Sequence, residues 1–545
     1  MTPPNFAKLV LTSAILMTLA ACGGSDDYVE APTAPNAPAM AAGDVFVLTV
    51  SNKLVSFNRD APGTARTTVT VTGLQSGENL VGIDFRPVDG MLYGVGSTGR
   101  IYTIDTASGA ATLKSTLAAD SADTTAPYTA LSGTDFGVDF NPAADRLRVV
   151  GSTGQSLRIN VDTGATTTDG NINGGYANSS VTASAYTNSF AGTGSTALFA
   201  IDTPNDLLYL QNPPNNGTLS QPVALGVDVM GVNGFDIDAR SNMGYAVFTV
   251  GGARNLYSIN LAATANAATS LGALGISEDV RGIALRAVAA PMVYALADDG
   301  KLLRFKTSTP NTIDASMEVI GLGAQETLVG IDFRPRDGML YGLTTAARIV
   351  TIDLPTGVAS TKATLAADST DTTAPYTALA GSAFAVDFNP VADRLRVIGS
   401  TGQSLRINVD TGATTTDGAI NLAGATPMVT AAAYTNSFAG TTATQLFDID
   451  NASGSLFLQN PPNDGTLSRI GALGVAAMGD GAIDIAGGAN GLVLAALRST
   501  ATGPSTLYRI DLATGAAVAV NGAASPATSL IGAGVGVRDI AISLR

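Results

Sequence analysis

The stretch FGVDFNPAADRLRVVGSTGQSLRINVDTGATTTDG, residues Phe136–Gly170, decides the fold. It contains short apolar runs, and these are separated by turn-forming residues at Asn141-Pro142, Ser152–Gly154 and Asp162–Gly164. Such runs, bounded by Asn, Pro, Gly, Ser and Asp, are typical of antiparallel strands joined by tight turns. The stretch therefore predicts a strand meander.

The same stretch returns 248 residues later as Phe384–Gly418, and the last twenty residues of the two stretches are identical. Each copy also contains a degenerate period of about 50 residues, and each period opens on a leading strand that resembles Gly137–Phe140. Four antiparallel strands in a period of about 40–50 residues is the pattern of a propeller blade. The leading strands begin at Val81, Gly137, Thr182, Gly234 and Arg281 in the first copy, and at Val329, Ala385, Thr430, Gly481 and Arg538 in the second.

The ends of the copies indicate how the blades close into rings. The first copy opens at Val45–Leu48 without a leading strand, which Gly282–Leu285 can supply, and Gly536–Leu544 can do the same for the second copy. We therefore expect an all-β protein of two tandem five-bladed β-propellers, residues 44–290 and 291–545. The alternative is one ten-bladed ring, in which residues 282–305 form an unbroken blade.

Composition narrows the possible functions. The net charge of -15 makes a nucleic-acid partner improbable, because such binding depends on Lys and Arg that neutralise phosphates. There is no histidine, and Cys22 is the only cysteine. This excludes Ser-His-Asp and Cys-His nucleophiles, histidine zinc sites and an intrachain disulfide.

The N-terminus is predicted to direct export. Residues 1–22 carry Lys8, then the apolar run Leu9–Ala21, and end in Leu-Ala-Ala-Cys. The run is short for a membrane span and is typical of a signal peptide. Its end resembles the lipobox of bacterial lipoproteins, which implies that Cys22 is acylated; Gly23 after it implies the outer membrane. An ordinary signal peptide cleaved near Ala21 is the alternative.

Residues 23–43 are rich in Pro and Ala and have no apolar period, so we expect a disordered tether. The protein would then meet the membrane only through its N-terminal lipid, on a face of the outer membrane that the sequence does not specify.

The wording of the repeat resembles the DUF4394 family, a bacterial group without an assigned function. The resemblance covers nearly all of residues 45–545; it implies a propeller-like fold and carries no catalytic assignment. The matching segments, each of which recurs in the second copy, are Val138–Pro142, Asp145–Arg148, Gly154–Asn160, Asp162–Gly164, Ala185–Asn188, Gln211–Asn215 and Gly217–Leu219.

Aspartates on the leading strands are the first candidate site. Carboxylates near a propeller axis suit Ca²⁺ or acid-base catalysis. The alternative is structural, with each aspartate accepting backbone N–H groups from the turn that follows. No DxDxDG-type calcium loop accompanies them, so we assign no metal or cofactor, with Ca²⁺ kept as a possibility. The aspartates are Asp84, Asp139, Asp236, Asp332, Asp387 and Asp484.

Arginines form the second candidate site. Arg146 and Arg148 are two apart and share a strand face, with Arg158 alongside on the next strand. Three guanidinium groups suit a carboxylate, sulfate or uronic sugar, whereas the alternative is pairing with Asp139, Asp145 and Asp162 between blades. The second copy repeats these arginines as Arg394, Arg396 and Arg406.

The loop Leu117–Leu131 is the third candidate, because long ordered loops often bind ligands. Asp120, Asp123 and Tyr128 would be its contact residues, unless the loop is merely solvated.

Together these features favour a non-catalytic binding or scaffold protein for a glycan, peptide or envelope protein. The alternative is a carboxylate-dependent, possibly Ca²⁺-assisted hydrolase or lactonase at the propeller axis.

Overall fold

The computed structural model describes residues 42–286, 291–488, 491–522 and 526–544. Cys22, the predicted signal peptide and nearly all of the predicted tether lie outside these residues. The described residues contain no α-helix, and none of their helices is long and apolar enough to cross a membrane. Their helical turns are short 3-10 segments, Thr203–Asn205, Pro214–Asn216, Pro462–Asp464, Pro526–Ser529 and Ile531–Ala533.

The first copy consists of strands β1 to β21, as the short apolar runs and glycine-rich turns predict. They are β1 Val45–Thr49, β2 Lys53–Phe57, β3 Ala65–Thr70, β4 Leu80–Phe85, β5 Leu92–Gly96, β6 Arg100–Ile104, β7 Ala111–Thr116, β8 Ala118–Ala119, β9 Phe136–Asn141, β10 Arg146–Gly151, β11 Ser156–Ile159, β12 Ala165–Thr168, β13 Val181–Tyr186, β14 Leu198–Asp202, β15 Leu207–Gln211, β16 Leu219–Ala224, β17 Met230–Ile237, β18 Gly244–Val250, β19 Ala253–Ile259, β20 Ala268–Ala273 and β21 Val280–Leu285.

The second copy repeats the pattern from β22 to β42. Its strands are β22 Met292–Ala297, β23 Leu302–Lys306, β24 Ala315–Met317, β25 Leu328–Phe333, β26 Leu340–Thr344, β27 Arg348–Ile352, β28 Ala359–Thr364, β29 Ala366–Ala367, β30 Phe384–Asn389, β31 Arg394–Gly399, β32 Ser404–Ile407, β33 Ala413–Thr416, β34 Val429–Tyr434, β35 Leu446–Asp450, β36 Ser455–Gln459, β37 Leu467–Ala472, β38 Ala482–Ala486, β39 Leu492–Arg498, β40 Ser505–Ile510, β41 Ala517–Ala519 and β42 Val537–Ser543.

These strands form ten antiparallel sheets of four strands, and the third sheet of each copy gains a fifth, short strand in parallel. The predicted meander is confirmed, because β9 to β12 follow one another in a single sheet. The short β8 beside β12 was not predicted, since two alanines carry no strand signal.

Each copy pairs its last strand with its first. In the first copy Val45 lies opposite Leu285, and in the second Met292 lies opposite Ser543. The unbroken blade over residues 282–305 is therefore not formed, because β21 pairs with β1 and not with β22.

The leading strands of each copy also contact one another in a cycle, which makes the arrangement propeller-like. In the first copy β4 contacts β9, then β13, β17, β21 and β4 again follow in turn; in the second the cycle runs through β25, β30, β34, β38 and β42. Apolar side chains fill the spaces between neighbouring sheets.

The two copies also contact each other. Phe190 and Ala239 of the first copy are buried among residues of the second, such as Val293 and Leu492. Arg240 donates a hydrogen bond from Nε to the Leu544 carbonyl, at 2.9 Å. The first copy therefore covers one end of the second.

Candidate functional site at the centre of the second copy

Three aspartates meet at the centre of each copy, where the leading strands contact one another. In the first copy they are Asp84, Asp139 and Asp236, and one carboxylate oxygen from each lies within 4.8 Å of the other two. Asp332, Asp387 and Asp484 form the matching trio of the second copy. All six are buried.

Each of these carboxylates accepts a backbone N–H from the neighbouring leading strand. Asp84 accepts from Phe140 at 2.7 Å, Asp139 from Tyr186 at 3.1 Å and Asp236 from Leu285 at 2.6 Å. The expectation that the following turn supplies the N–H groups is wrong, because they come from the neighbouring sheet and, for Asp84 and Asp236, also from the next residue of the same strand. The trio thus ties sheet to sheet, and the second copy repeats this through Phe388, Tyr434 and Ile542.

Burial raises the pKa of all six carboxyl groups, since the charged form loses its hydration. It raises the pKa of Asp236 to about 7 and that of Asp484 to about 6. For Asp84 and Asp332, repulsion from the negative charge of Asp236 and Asp484 respectively raises the pKa further. The centre therefore holds protons at pH values where surface aspartates have lost them.

The second copy adds a fourth buried carboxyl group, which sequence analysis missed. Asp539 on β42 occupies the place of Gly282 on β21 and accepts the Ile331 N–H at 2.8 Å. Burial raises its pKa as well. Comparison of the two closing strands, VRGIAL and VRDIAI, contained the signal.

A cavity lies at the end of the second copy where the leading strands finish, and we name it the C-end cavity. Its volume is about 330 Å³. Asp332 and Asp484 line it together with Ser543, and Asp238 and Arg240 of the first copy cover it. The matching space in the first copy is about 10 Å³, and there Arg286 stands in the place of Ser543.

A second cavity lies at the opposite end, where the leading strands of the second copy begin, and we name it the N-end cavity. Its volume is about 420 Å³, against about 10 Å³ for the matching space in the first copy. All five leading strands or the residues just before them line it, through Val329, Phe384, Thr430, Asp480 and Arg538.

The predicted arginine cluster is engaged within the fold. Arg148 is buried; it contacts Asp169 at 2.5 Å and Asn215 at 2.7 Å. Arg158 lies directly opposite Arg148 and shares Asp169, whereas Arg146 donates to backbone carbonyls. In the second copy Arg396 and Arg406 share Asp417, and Arg394 again donates to a backbone carbonyl.

The predicted pairing of these arginines with Asp139, Asp145 and Asp162 is wrong. Asp145 and Asp162 instead contact Arg86, at 2.6 Å and 2.8 Å, which joins the second and third sheets. Arg334 repeats this pairing with Asp393 and Asp410. Sequence analysis missed Arg86, although an arginine and a proline follow the leading strand in both copies.

The loop Leu117–Leu131 is held against its own sheet. Asp123 accepts the Thr168 N–H at 2.9 Å, and Asp120 accepts from Ala122. Tyr128 is half-buried and packs beside the apolar cluster of this sheet. The structure does not bring these three residues near the central carboxylates.

The family model described as "Domain of unknown function (DUF4394)" matches residues 53–284 and 301–540. The chain belongs to the DUF4394 family. The two DUF4394 regions coincide with the two copies, as the resemblance predicted.

No curated protein matches this DUF4394 chain. Its solved neighbours include the computationally designed Ika8 protein, at 12% identity over 74% of this chain and 98% of that one, with a TM-score of 0.20. A catalytically inactive virginiamycin B lyase from Staphylococcus aureus with quinupristin matches at 11% identity over 68% of this chain and 94% of that one, with a TM-score of 0.22. A Lactobacillus plantarum protein matches at 16% identity over 65% of this chain and 98% of that one, with a TM-score of 0.26. These scores are too low to support an argument.

Proposed function

We propose that this protein is an exported binding protein, tethered to the outer membrane through Cys22, that holds a small ligand at the centre of its second copy. In this proposal each copy is a closed five-bladed propeller, and the first is a structural partner of the second. Pairing of the first and last strands within each copy supports the closure.

The difference between the two centres carries the proposal. The copies share their sheets and their trios of aspartates, yet both ends of the second centre are hollow where those of the first are nearly filled. A cavity of a few hundred Å³ with a small number of polar groups is the usual form of a ligand site. A purely structural repeat has no need of either cavity.

A thermal-shift screen of the full-length protein tests the proposal. The panel contains neutral sugars, uronic acids, amino sugars, amino acids, short peptides and CaCl2. We expect saturable stabilisation by one class, since a ligand at 100 times its Kd adds about 2.7 kcal/mol to the unfolding free energy.

Variants that fill each cavity locate the ligand. Ser543→Arg introduces the residue of the first copy into the C-end cavity, and Ser543→Ala is its control. Thr430→Phe fills the N-end cavity with a bulky side chain, because Thr430 lines it. Binding that neither filling variant weakens would contradict the proposal.

The second candidate function is a carboxylate-dependent hydrolase or lactonase in the C-end cavity. Asp332 and Asp484 both line this cavity, and the raised pKa of Asp484, about 6, suits a general acid beside a second carboxyl group. Ca²⁺ takes six to eight oxygen ligands, so the trio would need further oxygens from substrate or water.

Stabilisation by CaCl2 that EDTA reverses, together with lactone or ester hydrolysis that Asp484→Asn abolishes, would favour this second function. Hydrolysis that persists in Asp484→Asn would exclude it.

A further inference from the structure

The N-end cavity of the second copy contains buried polar atoms without a partner. Thr430 Oγ1 and Arg498 Nε have no hydrogen-bond partner among the described residues, and their side chains are 4% and 3% exposed. An unpaired buried polar group costs about 1–3 kcal/mol, so such groups usually have a partner. Both residues line the cavity.

The rest of the Arg498 guanidinium is fixed by the protein. Its two terminal nitrogens donate to the Asp298 carboxylate, at 2.9 Å and 2.7 Å, and one of them also donates to the Val537 carbonyl. This bidentate pair holds the Nε–H in one place, where it can only donate to something other than Asp298. The cavity therefore offers one oriented donor.

Asp480 supplies a free acceptor. Its carboxylate lines the cavity, is half-buried and has no ion pair or hydrogen bond within the part of the chain that the structure describes. Thr430 can both donate and accept, since its hydroxyl is free. The cavity thus presents a donor, an acceptor and a hydroxyl to one ligand.

The charges of the cavity balance. Asp298 and Asp480 carry two negative charges, and Arg498 and Arg538 carry two positive ones. An anionic ligand would approach two carboxylates and a cationic ligand two guanidinium groups, so a neutral ligand is preferred. Phe384 and Val329 add an apolar wall.

The first copy lacks this set of groups. Its register positions for Asp298 and Arg498 hold Val50 and Thr249, and Thr182 there bonds Thr203 through its hydroxyl, at 2.6 Å. The second copy has Asn451 in place of Thr203, and Asn451 donates to the Gly479 carbonyl instead. The unpaired Thr430 hydroxyl is therefore a property of the second copy.

We infer that the N-end cavity of the second copy binds a neutral saccharide, whose hydroxyls accept from Arg498 Nε and Thr430 and donate to Asp480. Ring hydroxyls both donate and accept, and the carbon face of a sugar suits the wall of Phe384 and Val329. This inference rests on the proposed function, because it names the ligand class of one of the two cavities.

Calorimetric titration of the full-length protein tests the inference. The neutral probes are maltose, cellobiose, lactose and trehalose, and the charged controls are glucuronic acid and glucosamine. We expect saturable binding of at least one neutral probe. Thr430→Val should weaken it tenfold or more without lowering the Tm, because the hydroxyl has no partner in the protein. Asp480→Asn should weaken it similarly.

Thr182→Val is the matched control in the first copy. It should leave the affinity unchanged and lower the Tm, because that hydroxyl is bonded to Thr203. Tighter binding of glucuronic acid or glucosamine, or equal affinity in Thr430→Val and the unmodified protein, would overturn the inference. If no sugar binds but another class from the screen does, the saccharide is wrong and the proposed function stands.

Discussion

Asp448 is a buried acid that the fold does not use. Neither of its carboxylate oxygens has a hydrogen-bond partner among the described residues, and its register position in the first copy holds Ala200. Burial raises the pKa of Asp448 to about 8, against a small opposing effect of Arg396. At neutral pH this carboxyl group is therefore protonated and still lacks a partner.

Replacing Asp448 with the alanine of the first copy should stabilise the protein. We expect Asp448→Ala to raise the unfolding free energy by about 1–3 kcal/mol, the cost of an unsatisfied buried polar group. Urea unfolding followed by circular dichroism measures this, and Ala200→Asp in the first copy should cost a similar amount. A destabilised Asp448→Ala protein would show that an unseen partner satisfies the carboxyl group.

The pH dependence of this effect has a definite sign. The pKa in the folded protein lies above the ordinary aspartate value near 3.8, so between these values the folded state binds more protons than the unfolded state. The Asp448 contribution to stability therefore falls as pH rises from about 4 to 8. The advantage of Asp448→Ala should be larger at pH 8 than at pH 5.

The junction between the second and third sheets depends on one side chain at the end of strand β4. Arg86 contacts Asp145 and Asp162 across that junction, and these contacts raise its pKa above the ordinary value. Asp162 is held in turn at a lowered pKa, about 2, first by Arg86 and then by Lys114. The guanidinium is thus the only positive charge shared by both aspartates among the described ion pairs.

Loss of Arg86 should weaken this junction. We expect Arg86→Met to lower the unfolding free energy by about 3 kcal/mol, the low end for a broken buried pair, since Asp145 and Asp162 keep some hydration. Arg334→Met should behave alike. Arg336→Met is the control, because Arg336 is 71% exposed and its one ion pair among the described residues is with Asp393. Equal losses from Arg336→Met and Arg334→Met would refute this account.

At the scale of these elements, the sequence predicts the strands better than it predicts which side chains pair between them. The alternation in Gly137–Phe140 and the turns after it predicted the order β9 to β12, because period and turn chemistry are local. The partner of Arg148 could not be predicted, since Asp169 and Asp139 are both reachable until the packing of neighbouring sheets is known. Asp448 and Asp539 were visible only as differences between two near-identical copies.

For the whole molecule, the pairing of β1 with β21 predicts that the first copy folds alone. Residues 44–290 expressed by themselves should give a monomer that unfolds cooperatively. Because Phe190 is buried against the second copy, the isolated segment should become more soluble with Phe190→Ser. Analytical ultracentrifugation and thermal unfolding check this; aggregation of both forms would favour a larger ring.

The proposed membrane tether is tested at the scale of the whole chain. We expect metabolic labelling with palmitate to mark the full-length protein expressed in a Gram-negative bacterium and to find it in the outer-membrane fraction. Cys22→Ser should lose the label and become soluble after export, since no other cysteine can take the lipid. Unchanged membrane association of Cys22→Ser would rule out the lipid anchor.

Each copy fastens its own last strand to its first, and this bears on how the chain arose. When a gene fragment that encodes one such unit is duplicated head to tail, the second copy can close in the same way. It needs no new strand pairing at the junction between the copies. One copy can then keep a filled centre and a purely structural role. In the other copy, a few substitutions, such as a serine in place of an arginine, open a cavity. In duplicated proteins of this kind, new binding sites should be sought at the positions where the two copies differ in sequence.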